Sequence, residues 1–179
     1  MEQINFSKLL LKTAFSCMAC DGDIDKREVV IIKTMHQQKK AFGEININQE
    51  LDNLLLEFNR DGHQFLRSYF KELTSTKLSE QEELKLIEVA IDTIKGDEKV
   101  EYSEVKFFKV IRSKLKIGNV PILAIHPDFE DYLEQDIISE SYLSRLQEDF
   151  FDTQTLPEFE LIIAIDEDTL KNLTKSKDE

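Results

Sequence analysis

A chain of 179 residues can bury a hydrophobic core without disulfide or metal staples. With only 5 Gly, 3 Pro and no Trp it favours helix, and the lack of a Gly-rich loop excludes a phosphate-loop nucleotide site. The net charge of −13 is unevenly spread: residues 1–118 carry 19 Lys+Arg against 20 Asp+Glu, while 119–179 carry 4 against 16, which disfavours direct binding of DNA or RNA.

The N-terminus, MEQINFSKLLLKTAF, lacks the basic leader, apolar stretch and cleavage site of a secretory signal. No apolar run approaches the ~18 residues needed to span a bilayer. A cytoplasmic protein with no direct membrane insertion is therefore expected.

The first predicted helix, about 6–20, places Phe6, Leu9, Leu10, Ala14, Cys17 and Met18 on one face. Leu11 and Phe15 fall off that stripe, so this helix should be buried on more than one side and sit centrally. A second should run from Asp25 towards Phe42 and end at Gly43, because Asp25-Lys26-Arg27-Glu28 has the spacing of a capping box with Val29, Ile32 and Met35 behind it. Two shorter helices follow near 48–59 and 63–74, separated by the turn Asn59-Arg60-Asp61-Gly62. Ser79-Glu80-Gln81-Glu82 is a capping box for a fifth, ending near Lys95, and a sixth near 102–116 should bury Val105, Phe108, Ile111 and Leu115.

Past Gly118, NVPILAIHPDFEDYLEQDI contains two prolines and loses clear helical periodicity. Residues 139–151 fit one more helix, FELIIAI (159–165) fits either a strand or a buried helix segment, and the end from about Asn172 should fray. The expected fold class is all-α: a helical domain over 1–118, with an acidic extension of mixed structure over 119–179.

Shifting the chain on itself by 76 residues superposes LLKTAFSCMACDGDIDKREV on LIEVAIDTIKGDEKVEYSEV. Asp21 meets Asp97, Asp25 meets Glu101 and Glu28 meets Glu104. Each half gives an apolar helix, an acidic loop, an acidic cap and a glutamate three residues later, so a bundle of two pseudo-symmetric helical repeats is the simplest reading.

Asp21, Asp23 and Asp25 offer hard oxygen ligands at the spacing with which a calcium loop opens. Lys26 and Ile32 stand where an EF-hand requires Gly and Glu, so that motif is rejected. The competing reading is structural: Asp25 caps the helix, Glu28 closes the box, and Gly22 supplies the turn. If two-fold packing brings Asp21 and Glu28 near Asp97 and Glu104, four crowded carboxylates require a cation or raised pKa values. An all-oxygen set prefers Ca²⁺ or Mg²⁺ to Zn²⁺.

Cys17-Met18-Ala19-Cys20 is formally a C-x-x-C, but it ends an apolar helix where a thioredoxin motif begins one, so both thiols read as packing residues. His36, His63 and His126 stand in no paired spacing, and no nucleophile constellation accompanies them, so an enzyme is not expected. Lys106, Lys109, Arg112, Lys114 and Lys116 make the sixth helix basic. That is a solvated face, and also the nearest surface on which the acidic extension could fold back.

A-C-D-G-D-I-D-x-x-E at the end of an apolar helix, echoed by a D-x6-E and followed by Leu115-Lys116-Ile117-Gly118, resembles the TerB family. That family comprises tellurite-resistance TerB proteins and the N-terminal domain of the membrane-anchored co-chaperone DjlA. The resemblance covers about residues 5–118. It implies an all-helical, internally pseudo-symmetric domain whose acidic residues, here Asp21, Glu28, Asp97 and Glu104, are suspected of binding a divalent metal. The second half departs from the pattern, with Gly96-Asp97-Glu98 in place of Ala-Asp-Gly.

The expected function is a non-enzymatic stress-response module of the tellurite-resistance type. It would bind a divalent cation through Asp21, Asp23, Asp25, Glu28, Asp97, Glu101 and Glu104 and dock a protein partner. The alternative is a metal-free interaction adaptor that uses the acidic extension as its recognition element.

Overall fold

The computed structural model describes residues 2–20, 24, 26–96 and 100–133, and among them every regular element is a helix. In chain order these are α1 Glu2–Ala19, α2 Lys26–Lys39, α3 Ile47–Asp61, α4 His63–Ser75, α5 Glu80–Ile94, α6 Tyr102–Ser113 and α7 Asn119–Ile125. A 3-10 turn, Pro127–Phe129, then leads into α8, Glu130–Leu133.

A helix that is apolar on every side has nowhere to go but the middle. Leu9, Leu10, Leu11, Ala14, Phe15, Cys17 and Met18 of α1 are all buried, and the helix packs most extensively on α5, with α2, α3, α4 and α6 around it. Phe15 meets Phe58 of α3 and Phe65 of α4 edge-on, with ring centroids at 5.9 and 5.6 Å. Of the two polar residues buried inside α1, Thr13 has a local solution: its hydroxyl donates to the Leu9 carbonyl at 2.8 Å and accepts from the Tyr69 hydroxyl at 3.0 Å, while Ser16 Oγ has no hydrogen-bond partner among the described residues.

The Ser79 capping box forms as expected. The Ser79 hydroxyl accepts from the Glu82 N–H at 3.3 Å, and the Ser79 N–H donates to Glu82 Oε2 at 2.8 Å. The turn at 59–62 is shorter than the sequence suggested, because α3 continues to Asp61 and Gly62 alone separates it from α4. At φ 52° and ψ −118°, Gly62 occupies a conformation closed to residues with a Cβ, and its N–H donates to the Phe58 carbonyl at 2.7 Å.

Three expectations need correction. Helix α2 stops at Lys39, not Phe42, because Lys40 takes a left-handed φ of 51°, after which Ala41 and Phe42 are buried. In α6 the inward set is Phe107, Phe108, Val110 and Ile111, while Val105 is half-buried, because the rings of Tyr69 and Phe70 meet Phe107. Past Gly118 the chain returns to helix: Pro121 lies in the first turn of α7, where a missing N–H costs nothing, and Pro127 opens the 3-10 turn. Ile122, Phe129 and Leu133 join the core, Phe129 meeting Phe108 edge-on at 5.0 Å. The elements expected at 139–151 and 159–165, and the end from 172, lie outside the described residues, as does the cap expected at Asp25.

Candidate functional site

Of the seven acidic residues singled out as ligands, Asp21, Asp23, Asp25 and Asp97 lie outside the described residues. Glu28 stands in the first turn of α2 and Glu104 in the first turn of α6, where a carboxylate is favoured by the unpaired N–H groups and the helix dipole. Both are buried, at 8 % and 5 % exposure, which is unusual for glutamate and demands compensating partners. Glu101 immediately precedes α6, half-buried, and its N–H donates to Glu104 Oε2 at 2.7 Å. One oxygen of Glu104 is therefore engaged as a helix cap.

The Glu104 carboxylate lies close enough to α1 to act on Cys17. Burial first, and the charge of Glu104 second, push the Cys17 thiol far above its ordinary range. Cys17 and Cys20 are free and buried, and the raised pKa of Cys17 makes it a protonated packing residue. Among the described residues, no three His, Cys, Asp or Glu side chains form a group able to hold a metal ion.

Gly96, which directly precedes Asp97 in the sequence, has a physical reason. A Cβ there would sit 2.4 Å from Ile31 Cδ1 of α2, closer than any real contact. Gly96 is thus a position where α2 presses on the chain.

Other polar groups escaped the sequence reading. Glu83 of α5, 7 % exposed, accepts with Oε2 from the N–H groups of Lys116 and Ile117 at 2.8 and 2.7 Å, fixing the chain where it leaves α6. Nearby Arg112 is half-buried and donates to Asn119 Oδ1 at 3.1 Å, so it holds the start of α7 and does not belong to a solvated basic face. Burial lowers its pKa, and the charge of Glu83 acts in the opposite sense. Some 33 residues separate Glu83 from Lys116, and no periodicity links them. Lys33 and Asp52 form a second buried pair of charges, with burial lowering the lysine and Asp52 raising it. An open groove of about 400 Å³ lies between α4 and the end of α6, lined by Arg67, Phe70, Lys71, Thr74, Ser75 and Lys114.

No family model matches the chain, and comparisons with curated proteins and with solved structures likewise find no match. No helix among the described residues is long and apolar enough to cross a membrane.

Proposed function

We propose that the chain is a cytoplasmic, non-enzymatic stress-response module of the TerB type, built on two pseudo-symmetric helical repeats. Its acidic loops bind a divalent cation, Ca²⁺ or Mg²⁺ in preference to Zn²⁺, and the cation state governs docking of a protein partner. The observation that carries this reading is the burial of Glu28 and Glu104 in the first turns of α2 and α6. They stand 76 residues apart, the same offset that separates the starts of the two helices at Lys26 and Tyr102. Each follows an acidic stretch of sequence, and a buried carboxylate in such a setting is stabilised by a bound cation.

The test is thermal unfolding of the full chain after chelation, followed by separate addition of Ca²⁺, Mg²⁺, Mn²⁺ and Zn²⁺. A cation at a hundredfold over its Kd adds about 2.7 kcal/mol, or ~5–11 °C in Tm for a chain of this size. The expected result is a shift of that order with Ca²⁺ or Mg²⁺, lost in Asp21→Asn. Absence of a shift with every ion would overturn the cation reading.

The second reading, a metal-free adaptor recognised through its acidic extension, is favoured by the Glu101 to Glu104 hydrogen bond, which gives Glu104 a capping role needing no cation. The pair Asp21→Asn with Glu104→Gln separates the two. Partner binding falls with cation affinity under the first reading. Under the second it survives those changes and is lost on removal of residues 119–179.

A further inference from the structure

Six of the seven residues of α7 are apolar, so the helix has no polar side to turn to water. Ile122 is buried in the core and Leu123 packs partly on it. Val120, 81 % exposed, Ile125, 45 % exposed, and Ala124 face outward, with Pro121 half-buried beside them. Val120 and Ala124 stand one turn apart on the side opposite Ile122. A single exposed valine needs no explanation, whereas a helix whose outward side is apolar throughout marks a surface that another body covers.

That surface has a basic end and an acidic end, and bonds to α5 place them. Before α7, the Lys116 N–H donates to Glu83 in the first turn of α5; after it, Asp128 pairs with Lys95 at the far end of α5. From Glu83 to Lys95 the helix rises about 18 Å, and α7 packs along α5 between these anchors. The basic flank carries Lys114 and Lys116, and the acidic flank carries Glu130 and Asp131. All four are exposed, and none forms an ion pair with another described residue.

We propose that the outward face of α7 is a contact between two copies of this chain, paired antiparallel about a two-fold axis. A two-fold contact must be self-complementary, and this one is: the antiparallel pair sets Lys114 and Lys116 of each copy against Glu130 and Asp131 of the other. Val120 of each copy covers Ala124 of the other across the axis. Parallel pairing would oppose like charges at both ends. A helix about 10 Å long buries less than the ~800 Å² per partner of a standard interface, so the dimer is weak and dissociates on dilution. The flanking charges set the orientation, and apolar burial supplies most of the hold. The proposal goes beyond the cation reading and uses none of its residues, so it is tested in chelator, where either can fail without the other.

The test is sedimentation velocity of the full chain over a wide range of concentration. The expected result is a rise from the monomer to the dimer coefficient. In Val120→Asn, an exposed change whose helices circular dichroism checks, that rise should move to about tenfold higher concentration. The orientation is tested by Lys114→Glu/Lys116→Glu and Glu130→Lys/Asp131→Lys. Each should stay monomeric alone, because its two flanks then bear one sign, while an equal mixture of the two should dimerise at least as well as wild type. A wild type that is monomeric at every concentration would overturn the proposal, as would a Val120→Asn dimer as strong as wild type. So would a mixture that associates no better than either charge variant alone, because the flanks would then not face each other.

Discussion

Phe15 is fully buried at the meeting point of α1, α3 and α4, and its edge-on contacts with Phe58 and Phe65 leave no room to relax. Phe15→Ala should cost about 3–5 kcal/mol, read as a lower midpoint in urea unfolding. At Ser79 the stakes are smaller, since the cap is exposed, and Ser79→Ala should cost about 1 kcal/mol in the same measurement. His36 gives stability a pH dependence: burial first, and Lys40 second, lower its pKa, while Glu44 acts in the opposite sense. The unfolded imidazole titrates near 6.5, so just below that pH the unfolded chain binds more protons than the folded one. The contribution of neutral His36 is complete above 6.5 and lost as pH falls towards the lowered folded value. Wild type should therefore lose more Tm between pH 7.5 and 5.5 than His36→Gln does. Among these residues the Ser79 cap was legible in the sequence, because a capping box is closed within four consecutive positions. The Glu83 bonds to Lys116 and Ile117 were not, because they depend on how α5 and α6 pack.

At the scale of elements, helix existence followed from apolar spacing, and the errors fell where tertiary contacts choose between local options. Gly43 was the visible terminator of α2, yet the helix ends at Lys39, and the left-handed backbone falls on Lys40, a residue without any sequence mark of it. Five apolar residues in α6 allow more than one phase, and the partner rings on α4 select Phe107 over Val105. Helix α7 has only seven residues, too few to display a period. The candidate site was legible in the same partial way: first-turn acids announce themselves in Glu28 and Glu104, but their burial depends on neighbours distant in the chain. The junction of α2 with the end of α5 can be tested directly. Gly96→Ala should destabilise by about 1–3 kcal/mol, and pairing it with Ile31→Ala, which clears the space, should cost less than the sum of the two single changes.

For the molecule as a whole, α1 is the post on which the other helices lean, so deleting residues 1–20 should abolish cooperative unfolding followed by circular dichroism. The peripheral ion pair of Lys39 with Asp92, at 2.8 Å, is too exposed to hold the remainder together. The order of synthesis adds a consequence of its own. The central helix is made before the helices that cover it, and α5, its main partner, is complete only at Ile94. At ~5–20 residues per second, about 4–15 s pass before the two can meet. Through that interval the apolar face of α1, from Leu9 to Met18, lacks its principal cover, making it a target for holding chaperones and a place where nascent chains would stick to one another.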